Sequence, residues 1–374
     1  MTRLHDLAGM GQAIWLDFIR RSHLADGSLQ ALIDQGVRGV TSNPTIFEQA
    51  IGRSADYDAD LRRLTAAGAT HEQIYEALVL EDIAAAADLL RPLYDATGGQ
   101  DGYVSLEVSP TLAHDTAGTV AAGLHLFRAL GRPNVMIKVP ATPAGLPAVS
   151  ALVAAGVSVN VTLIFSLAQY EAVVEAYLNG LERRAVAGAD LRPVASVASF
   201  FVSRVDAVVD PQLERAGAPE LIGRTAITNA TLAYARFREL FAGPRWERLA
   251  VAGARVQRPL WASTGTKDPR LPDTHYVDGL IGPDTVNTVP PATLTAFLDH
   301  GRVAPSLTDD LDGSRAHLER IAALGVDLDM VTQKLLDDGV VAFAASFDAL
   351  MASITTRRAR LLADQLQTLA VTER

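Results

Sequence analysis

Only three of the 33 basic Lys and Arg side chains in this 374-residue chain are lysines: Lys138, Lys267 and Lys334. Lys138 stands inside Asn-Val-Met-Ile-Lys-Val-Pro, residues 134–140, an apolar and β-branched run that reads as a buried strand. An unpaired ammonium is expensive in such a place. Unlike arginine, lysine can give up its proton and act as a nucleophilic amine. In water its pKa is ~10.4, so only roughly one side chain in a few thousand is neutral at pH 7. Burial disfavours the charged form. A neutral amine attacks a ketone to form an iminium, an electron sink that permits cleavage of the adjacent carbon–carbon bond.

That chemistry needs proton carriers and groups that orient hydroxyls or a water. Asp17 and Glu107 supply carboxylates, and Asn43, Asn160 and Thr162 supply neutral hydrogen bonds. Ser199, Ser263 and Asn287 are further polar residues near the ends of apolar runs. Taken singly, each is more often a turn or ladder-capping residue than a catalyst, whereas the set converging on one mouth is harder to dismiss. The bland reading of Lys138 is a buried ion pair with Glu107. It leaves the polar residues of the other runs without a role, and buried pairs stabilise weakly. A phosphate cradle is suggested by Ser-Phe-Phe-Val-Ser-Arg, ending at Arg204, and by Ser-Thr-Gly-Thr-Lys, ending at Lys267. Against it, Arg204 could be a solvated helix arginine and Lys267 a loop charge beside Asp268. Lys334 reads as a solvated helix residue.

The elements that must position these groups follow from the hydrophobic pattern. Eight short apolar runs, at 13–18, 39–42, 103–108, 134–139, 158–164, 194–199, 258–263 and 284–289, read as strands. Amphipathic helices lie between them, with clear candidates at 28–34, 110–130, 146–155 and 167–184. Alternation of this kind predicts a parallel α/β sheet, and eight units predict a closed (β/α)8 TIM barrel. The connections 43–101 and 200–257 are too long for simple turns and read as helical insertions. The whole chain, 1–374, is expected to form one barrel domain with additional N-terminal, inserted and C-terminal helices. Its strands span about 13–289, and a helical extension at about 291–374, including a helix at 344–368, packs on the barrel. In such a barrel the residues at the strand C-termini share one mouth.

Composition excludes several function classes. A net charge of -10 without a basic cluster argues against a nucleic-acid partner. No cysteine is present, so disulfides, thiolate metal sites and a cysteine nucleophile are excluded. Nucleotide-binding glycine motifs, H-E-x-x-H and G-x-S-x-G are all missing, and no metal or cofactor is expected. Residues 139–170 carry no charge, but prolines, a glycine and alternating polar residues break the run into core elements of a soluble protein. No membrane partner is expected, and the N-terminus lacks the apolar stretch of a signal peptide, so a cytoplasmic location is expected.

Three segments together resemble a known family. Thr-Ser-Asn-Pro-Thr at 41–45, Val-Met-Ile-Lys-Val-Pro at 135–140 and Val-Asn-Val-Thr-Leu-Ile-Phe-Ser at 159–166 are similar to the signatures of transaldolases, in the same order and spacing from about 14 to 290. The length and the Phe-Phe-Val-Ser-Arg segment resemble the longer bacterial members. The resemblance implies transfer of a dihydroxyacetone unit between sugar phosphates in the pentose phosphate pathway; a monomer or a homodimer is expected, and the sequence does not choose between them. It implies that Lys138 forms the Schiff base, that Asp17 is the acid/base for carbon–carbon cleavage, and that Glu107 and Thr162 manage the water of dehydration. By the same likeness Asn43 and Asn160 hold substrate hydroxyls, Ser199 and Ser263 line the pocket, Phe201 shields it, and Arg204 binds phosphate. The pattern departs at strand seven. Shorter members carry an arginine just after the strand serine, where this chain has Gly265, which leaves that contact to Lys267 or to Thr264 and Thr266.

Overall fold

The computed structural model describes residues 2–307 and 310–372. Eight parallel strands close into a barrel in sequence order. They are β1 (Gln12–Leu16), β2 (Gly39–Thr41), β3 (Tyr103–Glu107), β4 (Val135–Pro140), β5 (Val159–Ile164), β6 (Ser196–Phe201), β7 (Gln257–Ala262) and β8 (Thr285–Val289). All are buried along their whole length, which is why they read as continuous apolar runs with isolated polar residues. Trp15 fills the barrel interior beside Gly39. A side chain there would begin 2.6 Å from the indole.

The strand bounds agree with the sequence pattern to a residue or two, with one instructive shift. The sixth run was expected at 194–199, but β6 covers Ser196–Phe201. Pro193 keeps the chain in a turn, with Val194 N–H donating to Leu191 O at 3.1 Å. The strand then extends through Phe200 and Phe201, both good strand formers. The expected helix 110–130 is also divided, into a 3-10 turn Pro110–Leu112 and a helix Thr116–Leu130 started by the Asp115 carboxylate on Gly118 N–H at 2.9 Å.

Both long connections are helical. The first holds Pro44–Phe47, a π-helical turn Glu48–Gly52, Asp58–Ala66 and the long helix His71–Ala96. The second holds Ser203–Arg215, Thr225–Leu240 and Pro244–Val251. A helix Arg3–Gly9 precedes β1. The uncharged stretch 139–170 divides into the end of β4, the helix Gly145–Ala154, β5 and the start of the helix Leu167–Val186.

The C-terminal helix begins sixteen residues earlier than the sequence suggested, at Leu328, and runs to Thr372. The last two residues of the expected extension lie outside the described residues. Over Leu328–Ala363 this helix is long and apolar enough to cross a membrane by length and composition. One of its faces is nevertheless laid on the barrel, burying Leu335, Leu336, Phe343, Leu350 and Ile354. Glycine at 339 and aspartates at 337 and 338 hide the element in the sequence, because they interrupt its apolar periodicity.

Candidate active site

Parallel pairing sets the polar residues side by side. Glu107 on β3 is the register partner of Lys138 on β4, which is the partner of Asn160 on β5, and Thr162 stands opposite Pro140. Lys138 is 5% exposed and Glu107 6%. The lysine Nζ lies 3.3 Å from Glu107 Oε2 and donates to the Ser42 carbonyl at 3.2 Å. Glu107 Oε2 has the ion-pair distance without a hydrogen bond of good geometry, and Thr162 Oγ1 has no partner either. A cavity of about 460 Å³ opens at this mouth, and Asp17, Asn43, Lys138, Thr162, Ser199, Phe201, Arg204, Ser263 and Lys267 all line it.

Asp17 follows β1 and is held by two strands. Its N–H donates to Val289 O at 2.8 Å, and its carboxylate accepts from Thr41 Oγ1 at 2.7 Å. Thr41 in turn shares a 2.6 Å hydrogen bond with Thr288 on β8. Burial pushes the Asp17 carboxyl above its ordinary value, against the opposing pull of Lys138, the Thr41 hydroxyl and Arg204. Glu107 is raised for the same first reason, again against Lys138. Two carboxyls near one amine are thus both shifted toward the protonated form.

Asn43 caps the helix Pro44–Phe47, its Oδ1 accepting from Ile46 N–H at 3.0 Å, which leaves its amide N–H₂ for the cavity. Asn160 and Glu107 lie behind the lining. Both ends of the Asn160 amide are occupied, with Nδ2 donating to Ser105 Oγ at 3.0 Å and Oδ1 accepting from Ser199 Oγ at 2.6 Å. Asn160 therefore orients Ser199, and Ser199 is the group at the surface. On β8 the sequence points to Asn287, but Thr288 faces the cavity. Neighbouring strand residues face opposite sides, so only one of the two can do so, and Asn287 instead accepts from Thr264 Oγ1 at 2.8 Å.

Two cations face the other side of the cavity. Arg204 lies over the Phe201 ring at 5.2 Å, and Lys267 is its neighbour. Burial lowers the pKa of both, and Arg204 lowers that of Lys267 further. Asp268, beside Lys267 in sequence, is spent on Arg270 at 2.9 Å. Among the described residues no carboxylate lies within ion-pair distance of Lys267 or Arg204. Two desolvated, like-charged side chains are relieved by an anion between them. Thr264 is buried and donates to Asn287 and Thr288, so it does not reach this corner. Lys334 pairs with Asp338 at 2.8 Å on the exposed helix surface, far in role from this chemistry.

The family profile of transaldolase/fructose-6-phosphate aldolase matches residues 14–354. The chain belongs to this transaldolase/fructose-6-phosphate aldolase family. It is 51% identical to a transaldolase of Parafrankia sp. (strain EAN1pec), over 94% of this chain and 96% of that one. It is 51% identical to a transaldolase of Thermobifida fusca, over 93% and 96% of the two chains. A transaldolase of Thiobacillus denitrificans is 49% identical, over 93% of this chain and 98% of its own. For this member of the transaldolase/fructose-6-phosphate aldolase family, the lining residues that sequence reasoning did not call include Ile46, Gln49, Thr288 and Phe343. Thr288 could have been found from strand alternation. Nothing local in the sequence marks Phe343, which lies more than 200 residues beyond Lys138 and reaches the site from the C-terminal helix.

Proposed function

We propose that this chain is a transaldolase, moving a dihydroxyacetone unit from fructose 6-phosphate or sedoheptulose 7-phosphate to glyceraldehyde 3-phosphate or erythrose 4-phosphate through a lysine Schiff base. The observation that carries this reading is a buried lysine beside Glu107 that opens into a cavity shared with Asp17, Thr162 and the Arg204–Lys267 pair. The Lys138 amine adds to the C2 carbonyl of the ketose. Protonation of the resulting hydroxyl lets it leave as water, and the nitrogen lone pair completes a cationic iminium. Glu107, raised by burial, holds a proton for that step, and Thr162 has a hydroxyl free to hold the departing water. Asp17 takes the proton of the C4 hydroxyl. The C3–C4 bonding electrons flow into the iminium, an aldose leaves as an aldehyde, and an enamine remains on Lys138. The enamine attacks the acceptor aldehyde, Asp17 returns its proton to the new hydroxyl, and water releases the product ketose.

Arg204 and Lys267 are assigned to the phosphate, and Asn43 and Ser199 to substrate hydroxyls, with Asn160 acting through Ser199. The cavity requires no cofactor for these steps. A place in the non-oxidative pentose phosphate pathway, in the cytoplasm, follows from the same reading. Borohydride reduction in the presence of fructose 6-phosphate tests it: a covalent adduct is expected on Lys138 by peptide mass, and none is expected in Lys138→Ala. Absence of the adduct in the unaltered protein sinks the Schiff-base mechanism. Steady cleavage of fructose 6-phosphate with no aldose phosphate present would make the chain an aldolase instead.

A further inference from the structure

From these contacts we infer that the C-terminal helix is the roof of the sugar cavity and that Phe343 on it is a positioning residue that keeps water from the nitrogen-bound intermediate. This inference rests on the Schiff-base reading above. Residues 339, 343, 346 and 350 lie on one face of a helix, at spacings of four, three and four. The first three meet the barrel mouth. Gly339 packs on β5, where an added Cβ would lie 2.9 Å from Leu163 Cδ2 and 3.6 Å from the Arg204 guanidinium. Phe343 is 5% exposed, lines the cavity, and places its ring centroid 5.5 Å from Lys138 Nζ. The Ser346 hydroxyl is hydrogen bonded to that of Thr45 at 2.9 Å, two residues from Asn43. One helix face therefore touches the phosphate side, the reacting nitrogen and the hydroxyl-binding side of the same pocket.

The placement has a chemical consequence. The enamine left after carbon–carbon cleavage must wait for an aldehyde. If it is protonated at carbon, it becomes an iminium again, and addition of water then returns the amine and releases free dihydroxyacetone. An aromatic face beside the nitrogen denies water an approach from the helix side and leaves hydrolysis to the water that Thr162 would hold, and its negative face suits the positive nitrogen of the iminium. Phe201 closes the barrel wall, whereas Phe343 closes the cavity from the helix side.

The test is the ratio of dihydroxyacetone released to dihydroxyacetone transferred, with fructose 6-phosphate as donor and erythrose 4-phosphate as acceptor. Because both quantities scale with the folded fraction, the ratio is insensitive to lost protein. Phe343→Ala is expected to raise it about tenfold, while Phe343→Leu, which keeps most of the apolar volume, stays within about twofold of the parent. Gly339→Val, which lifts the helix from Leu163 without touching the ring, is expected to move the ratio in the same direction as Phe343→Ala. Release and transfer falling together in Phe343→Ala and Gly339→Val, at a constant ratio, would overturn the inference and leave the transaldolase reading intact. A parent protein that forms no borohydride adduct overturns both.

Discussion

Lys138 sits between a carboxylate at 3.3 Å, a backbone carbonyl at 3.2 Å and an aromatic face at 5.5 Å. Under the proposed mechanism these are the groups that a positively charged iminium nitrogen at Lys138 would face. The lysine was legible from its rarity and its apolar setting. Its carboxylate partners were legible too, because ionisable groups are costly in strands and stand out there. The division of labour around Asn160 was not, because a sequence does not say which neighbours fill the two ends of an amide. At the Arg204–Lys267 corner, which the proposal assigns to phosphate, the sequence left Lys267, Thr264 and Thr266 as candidates, and Thr264 is buried and bonded to Asn287 and Thr288. Lys267→Ala should therefore raise the KM for fructose 6-phosphate about tenfold or more, the scale of a lost charge-assisted hydrogen bond. Adduct formation with unphosphorylated dihydroxyacetone should change much less. Equal losses with both compounds would show that Lys267 acts on the fold or on Lys138 and not on phosphate.

The strands carry more information than their hydrophobicity. Leu163 on β5 has a φ of 62°, and the β5–β6 register shifts between Val161 and Ile164. A β-branched or bulky residue rarely adopts this conformation, and such bulges re-aim neighbouring side chains. Here the bulge adjoins Thr162, whose hydroxyl is left open, and it is the surface on which Gly339 packs. Ser263, at the end of β7, has a φ of 56° and shares a 3.0 Å hydrogen bond with Ser203. Neither irregularity has a glycine to announce it. The opposite end of the barrel is closed by charge: Arg258 on β7, 7% exposed, pairs with Asp101 at 2.9 Å, and Arg38 pairs with the other Asp101 oxygen at 2.6 Å. Asp101→Ala would strand a buried guanidinium and is expected to cost about 3–5 kcal/mol in chemical denaturation. The fraction of folded protein trapped on Lys138 should stay unchanged, because this plug is at the far end of the strands. A loss below about 1 kcal/mol would mean that the Arg258 bonds to Gln100 O and Thr285 O suffice.

Across the molecule, burial of carboxyls links stability to pH. Asp206, on the helix that follows β6, accepts from Ala226 N–H at 2.7 Å and from the Tyr276 hydroxyl at 2.9 Å. Burial, reinforced by the charge of Asp210, raises its pKa to about 7. Between about pH 4 and pH 7 the folded state holds a proton that the unfolded state has released. Stability therefore falls as pH rises through this window, by at most about 1.4 kcal/mol per pH unit from this group. In Asp206→Asn the fall should be shallower than in the parent when unfolding is followed by urea at several pH values, and identical slopes would show that Asp206 does not titrate there. Asp17 and Glu107 are raised as well, so the difference between the two proteins separates them from Asp206 and its coupled neighbour Asp210. By itself the sequence determined the eight βα units, the mouth at which their polar residues meet, and a buried lysine on the fourth strand, because strand periodicity and the cost of buried charge are local properties. Tertiary structure alone decided that a helix beginning at Leu328 returns over that mouth and lays Phe343 beside Lys138. That contact depends on how a distant helix face packs, through Gly339, Phe343 and Ser346 together, and no pattern within either segment records it.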